Sequence, residues 1–486
     1  MTDSGRSIAP DPALTADDLL AACGGVLVHR SDRVIRGGAV DSRLVTPGCL
    51  FVALPGERTD GHRYLRAATG AGAAALLVSR DPDEAVGEPP HEGLGDVTVI
   101  RVPDTLRALH AIAAAWRARF SPLVVGITGS IAKTSTKEAV AGVLATRFTV
   151  LRTEGNQNNE VGLPLTVLRL GPEHGAAVLE MGMYVGGEIR DLASIGRPSI
   201  GIVTAVQPVH LSRIGTIEAI EDAKAELVEA LPPADEGGVA ILNLDDPRVA
   251  RMASRTRARL LTYGFDEGAD VTADRVVSQG FAGMQFRLRT PAREVDAAIP
   301  SLGRLAVHNA LAATAAGLAA GLGLDEILAG LAVTLTAPHR SVVTPIRGRM
   351  FVDDAYNASP ASMLAALDLL GGLPGRHVAV LGEMRELGDA HDSGHRIVGA
   401  AAASLDLLVV VDGAAGGGAE GIAQGARDAG LPVDRIVIAG DVADAVEKLR
   451  TATAPGDVVL VKASRGVELE RVVDGLAEAL GREDEA

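Results

Sequence analysis

The sequence predicts an α/β protein of three domains built on parallel sheets, and three observations carry that prediction. The chain has 486 residues, about three domains' worth at roughly 150 residues each. Short apolar runs rich in Val, Ile and Leu recur between Ala-rich helical segments: Leu123–Thr128, Ala177–Glu180, Ile200–Val206, Val239–Asn243, His377–Leu381, Leu407–Val411 and Val458–Val461. Strands that do not alternate with polar residues and are separated by helices belong to parallel sheets covered on both faces. Turn signals then divide the chain. Phe120-Ser121-Pro122 precedes a strand and a glycine-rich loop, which sets a boundary near residue 120. Thr334–Arg340 follows a long Ala-rich helix and precedes new strands, which opens a third domain near 337. The expected domains are 1–120, 121–336 and 337–486.

Composition excludes several classes of function. Hydrophobic residues make up 47% of the chain and charged residues 22%, enough apolar material for sizeable cores. The net charge of −16 opposes the counterion release that drives nucleic-acid binding, and an aromatic content of 2% leaves few platforms for bases. Cys23 and Cys49 are too few for a disulfide scaffold. The N-terminal MTDSGRSIAPDP lacks a basic stretch followed by an apolar run, and the uncharged, Ala- and Gly-rich stretch Ala310–Leu324 falls short of a membrane span. A cytoplasmic location, without stable membrane insertion or nucleic-acid partners, is the expectation.

Residues Leu123–Ser135 read strand, glycine-rich loop, helix. That order aims backbone N–H groups and a helix dipole at an anion. Gly126, Thr128, Gly129, Ser130, Ala132, Lys133, Thr134 and Ser135 are the candidate nucleotide-binding residues. In such a loop Lys133 neutralises the outer phosphates of ATP and the Thr134 hydroxyl ligates Mg²⁺. Ala132 stands where such loops usually carry glycine. If this position needs a positive φ, the methyl costs about 1 kcal/mol, expected to fall mainly on the nucleotide-bound state.

The loop and several later motifs resemble the Mur ligases, ATP-dependent amide-forming enzymes of peptidoglycan precursor synthesis, and among them the MurF type, which adds D-alanyl-D-alanine to a UDP-N-acetylmuramoyl-tripeptide. Asp41-Ser42-Arg43, Pro47–Leu54 and Asp60-Gly61-His62 look like the family's UDP-sugar-binding N-terminal domain. Glu154–Pro164 is similar to the stretch that marks this type, and Asp353–Ala358 and Val461–Arg465 resemble motifs of a Rossmann-like C-terminal domain. The resemblance implies an N-terminal UDP-substrate domain, a central phosphate-loop ATPase domain and a C-terminal domain for the incoming dipeptide. It implies transfer of the ATP γ-phosphoryl group to a carboxylate and attack on the acyl phosphate by an amine.

The resemblance also implies roles for single residues. Lys133, His210 and Lys224 are the expected catalytic residues. Thr134, Glu180, His210 and Lys224 are expected to hold Mg²⁺, with Lys224 carbamylated so that a cation becomes a carboxylate-like ligand. Asn309 is expected at the adenine, and Arg340 and Asp354 at the phosphates and ribose. Ser42 and Arg43 are expected near the uracil or pyrophosphate of the acceptor, and Asn156, Asn158, Asn159, Tyr356, Asn357, Lys462, Ser464 and Arg465 at the substrates. Ala132, Ala205, Gln207, Leu305, Ala355 and Ala463 depart from the family's usual residues, which leaves open a related amide ligase with other substrates or a nucleotide-binding pseudoenzyme.

Overall fold

The computed structural model describes residues 12–56, 59–81, 94–208, 214–333, 337–412 and 417–482. They fall into two compact units. One comprises Met1–Gly126, Phe148–Gly182 and Glu188–Ser199; the other comprises Ile127–Arg147, Met183–Gly187 and Ile200–Ala486.

In the first unit, β1 (Val26–His29), β2 (Gly38–Ala39), β3 (Leu50–Val52), β4 (Ala75–Val78) and β5 (Thr98–Arg101) form a sheet in the order β1-β5-β4-β3-β2. Every pair in it is parallel except β1 with β5. The helix Thr105–Arg117 follows β5. Asp104 caps it by accepting the N–H groups of Leu106 and Arg107 at 2.9 and 3.0 Å, and Leu109, Ile112, Ala113 and Trp116 recur at helical spacing on its buried face. The Trp116 indole donates to the Leu170 carbonyl at 2.9 Å, meets the Phe120 ring edge-on at 5.1 Å, and lies under the Arg119 guanidinium. This unit also holds the parallel pair β7 (Val150–Arg152) and β8 (Ala176–Glu180), and the start of β6 (Leu123–Thr128).

In the second unit, β9 (Ile200–Val203), β10 (Val239–Asn243), β11 (Arg259–Gly264) and β12 (Val271–Ser278) are parallel neighbours in that order. β13 (Met284–Arg289) and β14 (Glu294–Ile299) then continue antiparallel. A further sheet has the order β15-β16-β20-β17-β18-β19, from β15 (Val342–Ile346), β16 (Arg349–Asp353), β17 (Arg376–Gly382), β18 (Leu407–Val411), β19 (Ile436–Ala439) and β20 (Asp457–Lys462). Only β15 runs antiparallel to its neighbour. Alternate residues of these strands feed two cores: Ala379, Leu381, Val410 and Leu460 on one face, and Val378, Val380, Val409 and Val461 on the other. A strand buried on both faces has no solvent-facing register, which is why it reads as a continuous apolar run. The chain is thus α/β throughout, on mixed, mainly parallel sheets. Among the described residues no helix is long and apolar enough to cross a membrane.

Candidate active site

β6 delivers the phosphate loop to the N-terminus of the helix Lys133–Leu144. Gly126 and Thr128 stand inside the strand, so the turn itself is Gly129–Ala132. Gly129 has φ 149°, and a Cβ there would meet Thr204 Oγ1 at 1.8 Å, so only glycine lets the loop close over β9. Thr204 Oγ1 donates to the Ile131 carbonyl at 2.6 Å. Ser130 is pinned both ways: its hydroxyl donates to the Gln207 carbonyl at 3.0 Å and accepts the Gln207 N–H at 2.9 Å. Its own N–H donates to the Ala205 carbonyl at 2.8 Å. Positions 205 and 207 thus serve the loop through their main chains, which their departing side chains leave intact.

Ala132 adopts the left-handed conformation, φ 64° and ψ 1°, and caps the helix without a side-chain hydrogen bond. The strained geometry therefore belongs to the loop as it stands, so part of its cost falls on the fold itself and not on the nucleotide-bound state alone. The Lys133 ammonium folds back to donate to the Gly129 carbonyl at 2.7 Å. Thr134 is buried and Ser135 half-buried. In the next turn Thr136 donates to Asn309 Oδ1 at 3.1 Å, which orients the Asn309 amide and leaves its NH₂ for a ligand.

Lys224, in the helix Ile217–Glu229, is 3% exposed and has no hydrogen-bond partner among the described residues. Burial, and secondarily the charge of Lys133, hold its pKa well below the ordinary lysine value. Its charged form is disfavoured there, with no acid beside it to offset the burial. Two residues on, Glu226 accepts the Gly187 N–H at 2.7 Å. His210 lies outside the described residues.

In the first unit, Glu180 ends β8 at 2% exposure. Asn158 donates its amide to Glu180 Oε1 at 2.7 Å, while Oε2 is buried without a hydrogen-bond partner among the described residues. A buried carboxylate with one oxygen held and one open suits a hard divalent cation. Asn159 instead accepts the N–H groups of Val161 and Gly162 at 3.3 and 2.9 Å, and Asn156 is exposed. Arg43 is 86% exposed and binds Asp41 through Nε at 3.0 Å and Nη2 at 2.6 Å. The Arg43 guanidinium lowers the Asp41 pKa to about 2. Ser42 lies half-buried in the short turn that Asp41 caps.

At the C-terminal edge of the second unit's six-stranded sheet, Lys462 is buried and its ammonium donates to Asp354 Oδ2 at 2.5 Å, the Asp354 carbonyl at 3.2 Å and the Asn357 carbonyl at 2.9 Å. Its three donors are spent inside the chain, so it shapes the 354–357 loop and has none left for a peptide. Tyr356 on that loop is flanked by guanidinium groups, Arg340 at 4.2 Å and Arg465 at 5.2 Å from the ring centre. Ser464 accepts the Arg385 N–H at 2.9 Å.

Sequence reasoning passed over Glu383 and His395. His395 is wholly buried; its Nε2 accepts the Met384 N–H at 2.8 Å, so Nδ1 carries the proton and donates to the His391 carbonyl at 2.7 Å. Glu383 follows the buried C-terminal end of β17 just as Glu180 completes β8, and that shared position was the available signal.

A loop of this construction at the edge of a mainly parallel sheet defines the chain as a phosphate-loop nucleotide-binding α/β protein. Its sequence matches the Mur ligase family catalytic domain over residues 34–117, the Mur ligase middle domain over 127–317, and the Mur ligase glutamate ligase domain over 339–465. The chain belongs to the Mur ligase family. It is 37% identical to the UDP-N-acetylmuramoyl-tripeptide–D-alanyl-D-alanine ligase of Synechocystis sp. over 90% of either chain. Its fold superposes on MurF from Acinetobacter baumannii with a TM-score of 0.84 at 29% identity, covering 97% of this chain and 100% of that one. It superposes on the MurF ligase of Thermotoga maritima in complex with ADP with a TM-score of 0.79 at 28% identity, covering 92% and 98%.

Proposed function

We propose that this ligase joins D-alanyl-D-alanine to UDP-N-acetylmuramoyl-tripeptide at the expense of ATP, in peptidoglycan precursor synthesis in the cytoplasm. The observation that carries the reading is the end-to-end identity of 37% with a relative named for that reaction. The γ-phosphoryl group of ATP passes to the tripeptide's terminal carboxylate, giving an acyl phosphate and ADP. The dipeptide amine then attacks the acyl carbon, the C–N bond forms, phosphate leaves, and the amine gives up its proton. Positioning and charge neutralisation supply most of the acceleration in such a transfer.

The loop amides of Gly129–Thr134 and the Lys133 ammonium hold the β- and γ-phosphates. Asn309 faces the adenine, and Arg340 and Asp354 reach the nucleotide. Thr134, Glu180, His210 and Lys224 are the residues that would hold Mg²⁺, which when bound neutralises charge on the transferring oxygens. The neutral form of lysine is the one that adds CO₂, and burial of Lys224 favours it: its nitrogen would bond the carbon, a proton would leave, and a carbamate oxygen would replace a cation next to Lys133. Residues 1–120, with Ser42 and Arg43, take the UDP end of the acceptor. Asn156, Asn158 and Asn159 belong to the acceptor side, and residues 337–486, with Tyr356, Asn357, Ser464 and Arg465, take the dipeptide.

The test is phosphate release with ATP and Mg²⁺. Release that requires both the UDP-tripeptide and D-alanyl-D-alanine is the expected result. Release supported equally by other amines would point to a related amide ligase, and nucleotide binding without release to a pseudoenzyme.

A further inference from the structure

One cation at the edge of the six-stranded sheet has donors to spare. Arg385 follows β17, and its Nε donates to Glu383 Oε2 at 3.2 Å, a carboxylate only 5% exposed. Among the described residues nothing accepts from its Nη groups, and the side chain is 36% exposed. Two further features hold the guanidinium in place. Ser464 N–H donates to the Glu383 carbonyl at 3.0 Å while Ser464 Oγ accepts the Arg385 N–H, so the loops after β17 and β20 clasp each other. Gly466 makes room: a Cβ there would lie 2.0 Å from Arg385 Nη1. The buried Ser464 hydroxyl accepts one bond and still has its proton to give. Unspent donors with no acceptor between them call for an anion, and a planar fork suits a carboxylate.

We propose that Arg385, aimed by Glu383 and joined by Ser464 Oγ, binds the terminal carboxylate of the incoming dipeptide; this rests on the ligase reading above. The sheet supports the span. β16, β20 and β17 are adjacent and parallel, so the loops of Asp354 and Arg385 leave the same edge, about 10 Å apart at two strand spacings. An extended dipeptide is about 7 Å long. Anchored by its carboxylate at Arg385, it carries its amine across β20 toward the 354–357 loop, where the nucleotide-side residues stand.

The experiment compares D-alanyl-D-alanine with D-alanyl-D-alaninamide, which lacks the charge, in phosphate-release kinetics. The wild-type protein is expected to prefer the acid about 10- to 100-fold in kcat/KM, the worth of a charge-assisted fork. Arg385→Gln should bring that ratio near unity by raising KM for the acid, with KM for the UDP-tripeptide unchanged. Gly466→Ala, whose methyl displaces only the tip of a flexible side chain, should lower the ratio without lowering the unfolding temperature. Glu383→Gln should raise KM for the acid while kcat holds, as a positioning residue requires. An Arg385→Gln protein that keeps the preference, or whose defect falls on the UDP-tripeptide, overturns the assignment and leaves the ligase reading standing. A wild-type protein that releases no more phosphate when dipeptide is added overturns both.

Discussion

Lys224 and Lys462 are buried to the same degree, each 3% exposed, yet their surroundings are opposite. Lys462 is answered on every side, by a carboxylate and two carbonyls. Lys224 has no such partner among the described residues, and the charge that acts on it is another cation. A buried charge persists only where it is paired, and an unpaired one loses its proton instead. The 354–357 loop beside Lys462 is fixed before any ligand arrives, with Tyr356 held between guanidinium groups. The region of Lys224 and the phosphate loop is unfinished: a buried amine without a partner among the described residues, and helix N–H groups behind a strained alanine, each calling for a charge from outside. The contrast separates residues that hold the fold from residues that await chemistry.

Substituting each lysine by methionine gives the largest test of that contrast. Lys224→Met is expected to lower turnover about a thousandfold, the several kcal/mol that a metal-held charge supplies, while chemical denaturation shows stability equal to wild type or higher, because an apolar isostere replaces an unpaired amine. Lys462→Met should do the reverse: stability falls by about 3 kcal/mol in urea unfolding, since Asp354 is left without its partner. A Lys224→Met protein as unstable as Lys462→Met would erase the distinction.

A third prediction concerns pH at the buried histidine after β17. Burial, chiefly, holds the His395 pKa below its ordinary value, so between that lowered value and about 6.5 the unfolded chain binds the proton that the fold refuses. Stability is therefore complete above about pH 6.5 and falls as pH drops through the window. His395→Gln should flatten that acid limb in unfolding measured from pH 7.5 to 5; an unchanged slope would show that His395 does not set it. The smallest effect is expected at the unfinished site. Ala132→Gly relieves a left-handed alanine but gains chain entropy on unfolding, for a net stabilisation of about 0.5–1 kcal/mol. Thermal unfolding without nucleotide measures the part stored in the loop, and ATP affinity measures the rest.

Much of this was legible in the sequence, and the pattern of what was not has a physical cause. Leu123–Thr128, Val239–Asn243 and Leu407–Val411 are read with their observed limits, because strands buried on both faces leave no ambiguity of period. The antiparallel β13 and β14, with sequences MQFRLR and EVDAAI, carry no such run: one face meets solvent and takes charges. At the site, the loop is visible because its chemistry is local to a dozen residues. The engagement of Lys462 by Asp354, 108 positions away, and the clasp of Arg385 by Ser464, 79 positions away, depend on strand order, which apolar runs alone do not specify. Ala132 shows the same limit from the other side: the residue was conspicuous, its φ was not.

The packing of Trp116 has a practical consequence. It is the only tryptophan in the chain, and its ring is locked between Phe120 and Arg119 with its N–H tied to Leu170, all within the first unit. Excitation at the red edge of indole absorption therefore interrogates the first unit and is blind to the second. An emission-monitored melt and a calorimetric melt of the same sample are separate readouts, one for the unit that carries Glu180 and one for the whole, and any gap between them measures how far the two units unfold as one.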